Sequence, residues 1–237
     1  MMDENYEKAI SDFQETIAKD KPNEKVYYQL GVSYLKTDQK DLADQSFGLA
    51  LKSKPGYIPA LTEQLKLKYK KDDFTSTLDL AGQLLEAEPI NKKGLYYKAM
   101  SLMKTDSLDQ AYAAFDAYLT VDGENKTVLK NRANISIKQK NYESAVKDYT
   151  ALIAVDPDHM NYYNRALSYM RIEKWAESLA DLDKVITMKP DYAEAFYNRS
   201  NVQLQLENND AACSDMREAV KLGYDDAVQY VIGLCGN

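Results

Sequence analysis

Three tripeptides carry most of the chemistry in this chain: Asn131-Arg132-Ala133, Asn164-Arg165-Ala166 and Asn198-Arg199-Ser200, at intervals of 33 and 34 residues. Sixteen residues after each arginine comes an aspartate: Asp148, Asp181 and Asp215. A guanidinium is a planar fork of donors that fits a carboxylate through two parallel hydrogen bonds. The constant spacing predicts three structural ion pairs, Arg132–Asp148, Arg165–Asp181 and Arg199–Asp215. The amides suit a different task. Each offers one acceptor and two donors, enough to hold a peptide unit bidentately without reading its side chain.

Little else in the sequence looks reactive. His159 is the one histidine, and Cys213 and Cys235 are the only cysteines. That leaves no His-based triad and no four-thiolate zinc site. Gly is scarce, at 9 residues, and no glycine-rich phosphate-binding motif occurs. No catalytic residue, metal site or cofactor is expected. The net charge of −7 and pI near 4.9 argue against a nucleic-acid partner. No apolar run approaches the roughly 18 residues of a membrane span, so direct membrane insertion is not expected. The opening "MMDENYEKAI" is polar and acidic, unlike a signal peptide. Tyrosine is the outlier, with 19 against 5 Phe and 1 Trp. Its apolar ring and polar tip suit half-buried contact surfaces.

The elements that must hold these residues show in the stretch 24–57. Tyr27, Leu30, Gly31 and Tyr34 form an i, i+3, i+4, i+7 stripe of an amphipathic helix. After the polar break "KTDQK" a second stripe runs through Ala43, Phe47 and Ala50, and Pro55 ends it. The pattern predicts a helical hairpin whose small residues bring two backbones close together.

Aromatic, Leu-Gly, Tyr, Ala, Phe, Ala and Pro at these offsets in 34 residues resemble the tetratricopeptide (TPR) repeat. The register continues as repeats 24–57, 58–91, 92–125, 126–158, 159–192 and 193–226. The second departs most, with Leu65 where a small residue is expected and Lys68 where Tyr is usual. Residues 3–23 resemble the second half of a repeat, through Tyr6, Ala9 and Phe13, which suggests that a first helix precedes them in the natural protein. Residues 227–235 read as a capping helix. The resemblance implies an all-α fold, a right-handed α-solenoid, with 1–237 as a single array. The segment "ACSDMREAVKLGYDDAVQYVIGLC" is similar to the closing segment of TPR proteins common in Bacteroidetes.

Within a repeat, positions 2, 5, 6, 9, 12 and 13 share the face opposite the apolar stripe. In TPR proteins that face lines a concave groove. Asn131, Asn164 and Asn198 at position 6 are then expected as a ladder along it, like the asparagine ladder of TPR enzymes that glycosylate proteins. Position 5 adds Tyr28, Tyr96, Lys130, Tyr163 and Tyr197, and position 9 adds Asn134 and Asn201. Such residues serve equally to pack one repeat on the next. Some TPR domains clamp a terminal carboxylate with Lys and Asn, then Asn, then Lys and Arg. Lys130, Asn134 and Asn164 match the first three, but Glu194 and Asn198 stand where the last two cations belong. Glu194 would repel a carboxylate, which argues against that chaperone role.

Position 13 holds a basic row: Lys36, Lys70, Lys104, Lys138 and Arg171. Cations there complement helix dipoles at ~0.3–1 kcal/mol each, or attract an acidic partner. Cys213 and Cys235 fall on helices that should pack together, either bridged or as two buried thiols. A bridge would favour an exported or periplasmic home if an upstream segment has been removed; otherwise the cytoplasm is expected. The function implied is a non-catalytic protein–protein interaction scaffold binding an extended peptide or protein segment in its groove. The alternative is a structural subunit or adaptor of a larger envelope or secretion assembly.

Overall fold

The structure, a computed structural model, describes residues 2–19 and 22–235. Positions 20 and 21 of the expected half-repeat, and positions 1, 236 and 237 of the expected array, lie outside the described residues. Two compact units make up the chain, Met1–Val121 and Asp122–Asn237. The first holds α1 (Met2–Lys19), α2 (Glu24–Lys36), α3 (Lys40–Ser53), α4 (Ile58–Lys70), α5 (Phe74–Ala87), α6 (Lys92–Lys104) and α7 (Leu108–Val121). The second holds α8 (Lys126–Lys138), α9 (Tyr142–Val155), α10 (His159–Arg171), α11 (Trp175–Met188), α12 (Ala193–Gln205) and α13 (Asn209–Lys221). A 3-10 turn, Asp225–Ala227, and α14 (Val228–Cys235) close it. Among the described residues there is no strand. In each unit a helix packs chiefly on its neighbours in sequence, as in an all-α solenoid.

Local chemistry starts and stops these helices. Asn23, Asn91, Asn125 and Asp158 accept backbone N–H bonds at the starts of α2, α6, α8 and α10, and Asp73 and Asn141 do so for α5 and α9. Each cap is worth about 1 kcal/mol. The first helix of every hairpin ends in the same reversal. Gln39 N–H bonds to Tyr34 C=O at 2.8 Å and Asp38 N–H to Leu35 C=O at 3.2 Å. That 6→1 and 5→2 pair is a Schellman motif. It recurs at Asp72, Asp106, Lys140, Glu173 and Glu207, each at φ between 56° and 62°. None of these left-handed residues is glycine, so the polar break marks the turn in sequence without naming the residue that reverses the chain.

The core is set by size exchange between positions 8 and 24 of each repeat. Gly31 faces Phe47 so closely that an added Cβ would lie 2.6 Å from the ring. Ala99, Ala133 and Ala166 leave room in the same way for Phe115, Tyr149 and Leu182, all fully buried. The second repeat reverses the assignment: Leu65 is large and Ala81 small, both buried in one cluster. Its departure from the pattern is a compensated swap within an intact register.

At the first end, Ile10, Phe13 and Ile17 of α1 pack on the cluster of Leu30, Tyr34 and Phe47, and Gln14 Nε2 donates to the Tyr34 hydroxyl at 2.8 Å. At the other end, Ala227 is buried against Met216 and Ala219. Cys213 and Cys235 are joined in a disulfide with their Cα atoms 5.2 Å apart, fastening α14 to α13.

Candidate functional site

The three arginine–aspartate pairs tie the two helices of each hairpin in the second unit. Arg165 Nε and Nη2 donate to Asp181 at 2.7 Å each, and Arg199 does the same to Asp215 at 2.7 and 2.6 Å. Arg132 engages Asp148 through Nε at 3.0 and 3.2 Å and through Nη2. The aspartates are buried. Hydrogen bonds to Asp181 and Asp215 hold the Arg165 and Arg199 guanidinium groups above their ordinary pKa. Two arginines also reach back one repeat. Arg165 Nη1 donates to Thr150 Oγ1 at 3.0 Å, and Arg199 Nη1 to Asp183 at 2.7 Å. That second reach, at position 25 of the preceding repeat, was missed by a reading confined to one period. The first unit uses another tie: Asp44 accepts from Gln64 at 3.0 Å and from Lys68 at 2.6 Å.

The expected groove residues divide. Asn198 spends both amide hydrogens inside the protein, donating to the Tyr163 hydroxyl and the Glu194 carbonyl at 2.8 Å each. It stitches α12 to α10 and keeps only its oxygen for a ligand. Asn134 accepts from the Tyr149 hydroxyl at 3.1 Å and remains exposed. Asn164 makes no side-chain hydrogen bond among the described residues and faces open space. Asn131 and Asn201 are half-buried on α8 and α12, and Lys130 is exposed.

The position-5 tyrosines pack on neighbouring rings. Tyr28 lies 5.8 Å from Tyr57, Tyr163 5.0 Å from Tyr192, and Tyr197 4.8 Å from Tyr224, each time against the residue that precedes the next helix. Tyr96 packs on Tyr97 and Tyr118. Part of each ring is thus committed to structure. His159 sits beside Asp158 and edge-on to Tyr192.

A groove of about 470 Å³ opens on the second unit. Its polar lining is Asn164, Asn198, Arg171 and the buried Ser168; its apolar floor is Ile137, Leu167, Met170, Tyr142 and Trp175. The polar residues at positions 6 and 13 lie on the expected groove face, and so do the apolar ones at positions 9 and 12, Leu167, Ile137 and Met170. Position 17, with Tyr142 and Trp175 on the second helix, adds the part of the floor that the first-helix face does not include. Among the described residues no group of three or more His, Cys, Asp or Glu side chains is placed to hold a metal ion.

Burial also reshapes the phenols. Desolvation, then the charge of Asp148, pushes Tyr149 up to about 12. Tyr163 is raised further, by burial first and then by Tyr192 and Glu194. Both keep their protons in the folded state well above the ordinary value of about 10. Their contribution to stability is therefore whole below pH ~10 and is lost as pH climbs toward 12. A phenolate absorbance titration checks this, because each ionising phenol is counted as it loses its proton. Tyr149 and Tyr163 should ionise only with alkaline unfolding, and their ionisation in the folded protein at pH ~10 would contradict their burial.

Family models described as tetratricopeptide repeat match residues 24–57, 129–159 and 163–227, together more than half of the chain. The chain belongs to the tetratricopeptide repeat family. This TPR protein is 28% identical over 166 residues to the DnaJ homolog subfamily C member 7 homolog of Dictyostelium discoideum, covering 63% of this chain and 31% of that one. The chain thus spans about a third of that relative. Among solved structures it is similar to YrrB, described as a TPR protein with an unusual peptide-binding site, at TM-score 0.67 and 16% identity over 77% of this chain and 94% of that one. A TPR protein from Parabacteroides merdae matches at TM-score 0.54 and 20% identity, over 99% of this chain and 100% of that one. These two likenesses are of fold. The TPR fold is typically a non-catalytic interaction scaffold, and TPR proteins bind protein or peptide partners. Among the described residues no helix is long and apolar enough to cross a membrane.

Proposed function

We propose that this TPR protein is a non-catalytic scaffold that holds an extended segment of a partner protein along the first-helix face of its second unit. The observation that carries this reading is the groove itself: an apolar floor beneath Asn164, whose amide is uncommitted, with Arg171 at its edge. An apolar side chain of the segment fills the floor, and Asn164 holds the adjoining peptide unit through both its donor and acceptor sites. Tyr142 and Trp175 in the floor give contact area at little entropic cost. The test is affinity capture from the source organism with the wild type and with Leu167→Asp and Asn164→Ala. Partners should be lost from both variants while the melting temperature stays within a few degrees. An unchanged set of partners would refute the groove reading.

A second reading, a subunit of a larger assembly, is favoured by α14. Val228 and Tyr230 are 46% and 48% exposed there, beside Val220 and Val231. The disulfide supports an exported or periplasmic home for either reading, since such bonds persist in oxidising compartments. Thiol alkylation in intact cells should leave Cys213 and Cys235 unmodified. Modification of both would place the protein in a reducing compartment.

A further inference from the structure

Glu194 lies in the first turn of α12, half-buried, and its carboxylate makes no ion pair among the described residues. Asn198 is one helical turn along on the same face, and its bond to Tyr163 fixes that face toward α10. Around this corner stand the ring pairs Tyr163–Tyr192 at 5.0 Å and Tyr197–Tyr224 at 4.8 Å, with Tyr230 6.2 Å from Tyr197. The Glu194 charge helps to hold protons on Tyr163, Tyr192 and Tyr224, each of which titrates high, with burial the leading cause. Asp226 adds negative charge beside Tyr224. One cation is already attracted here: the Lys189 ammonium lies 5.2 Å from the centre of the Tyr192 ring. It is not paired with Glu194 or any other carboxylate among the described residues. A ring face takes an ammonium while the adjacent carboxylate takes none.

We infer that this corner is a subsite for one cationic side chain, Lys or Arg, of the segment bound in the groove. The inference rests on the groove reading above. Electron-rich ring faces attract a cation at ~0.5–2 kcal/mol according to desolvation. The unpaired carboxylate supplies the opposite charge and, for Arg, a bidentate acceptor. Asn198 belongs to both places, rimming the apolar groove and touching Tyr163, so the cation and the apolar anchor should sit at a fixed spacing along the segment. Glu194 thereby becomes a determinant of specificity for the groove.

The experiment is selection from a random decapeptide display library on the wild type, Glu194→Gln, Glu194→Lys and Leu167→Asp, each checked for an unchanged melting temperature. Synthetic versions of the selected peptides are then titrated against Trp175 fluorescence, the protein's one tryptophan and part of the groove floor. The wild type should select an apolar residue with Lys or Arg at a constant offset. Replacing that Lys by norleucine should weaken binding roughly tenfold, within the range for a desolvated cation on aromatic rings. Glu194→Gln should keep the apolar anchor and lose the basic residue, and Glu194→Lys should select an acidic residue in its place. Anchored peptides without basic preference on the wild type would overturn the cation subsite while leaving the groove reading intact. Failure to select any peptide, or selection unaffected by Leu167→Asp, would overturn both.

Discussion

Asp181→Ala lowers the stability of the second unit by about 3–5 kcal/mol, the loss expected when one member of a buried ion pair is removed. The cause is the stranded partner. The Arg165 side chain is 16% exposed and that of Asp181 7%, so without the carboxylate a guanidinium is left out of water with only Thr150 as a hydrogen-bond partner. Asp215→Ala should cost less, because Arg199 retains Asp183 at 2.7 Å on the exposed side. Replacing both members, as in Arg165→Met with Asp181→Leu, should recover most of the loss, since well-packed apolar residues often substitute for a buried pair without penalty. Denaturant unfolding of the two singles and the double gives the coupling energy. Additive single effects would mean that the two side chains do not act together.

Phe47→Ala should cost about 3–5 kcal/mol in the first unit, the usual toll for emptying a fully buried phenylalanine site. The more diagnostic change is Gly31→Ala. Its new methyl would lie 2.6 Å from a Phe47 ring that is itself enclosed on every side, so the ring cannot step aside. Overpacking of this kind costs about 1–3 kcal/mol. In a Phe47→Leu background the same methyl enters freed space, and the penalty should shrink or vanish. If Gly31→Ala costs as much there as in the wild type, the two positions are not complementary. The reversed pair Leu65 and Ala81 makes the same point without a mutation.

What the sequence made readable was whatever repeats at short range. The stripe Tyr27, Leu30, Gly31, Tyr34 specifies a helix because 3.6-residue periodicity has one geometric solution. The partners Arg165 and Asp181 were legible because one spacing recurs three times. Contacts that leave the repeat were not. Nothing near Arg199 in sequence indicates that Asp183 on the preceding hairpin takes its third donor. Nor could Trp175, on the second helix, be told from a core residue, because hydrophobicity alone does not say whether a neighbouring helix or open space lies opposite. Asn198 shows the converse limit. Its type and register suit a ligand, yet its donors are taken by Tyr163 and Glu194, and only the fold could show that.

The six left-handed turns carry a consequence for adaptation. Asp38, Asp72, Asp106, Lys140, Glu173 and Glu207 each hold a conformation that costs a non-glycine residue roughly 1 kcal/mol. All six are exposed and none lines the groove. Exchange for glycine or asparagine relieves that strain at one hairpin at a time, partly offset in glycine by a more disordered unfolded chain. Heat tolerance can therefore be adjusted in small, separable increments at positions remote from recognition. A lineage moving to a warmer niche could retune these corners while leaving the wall that its partner reads unaltered.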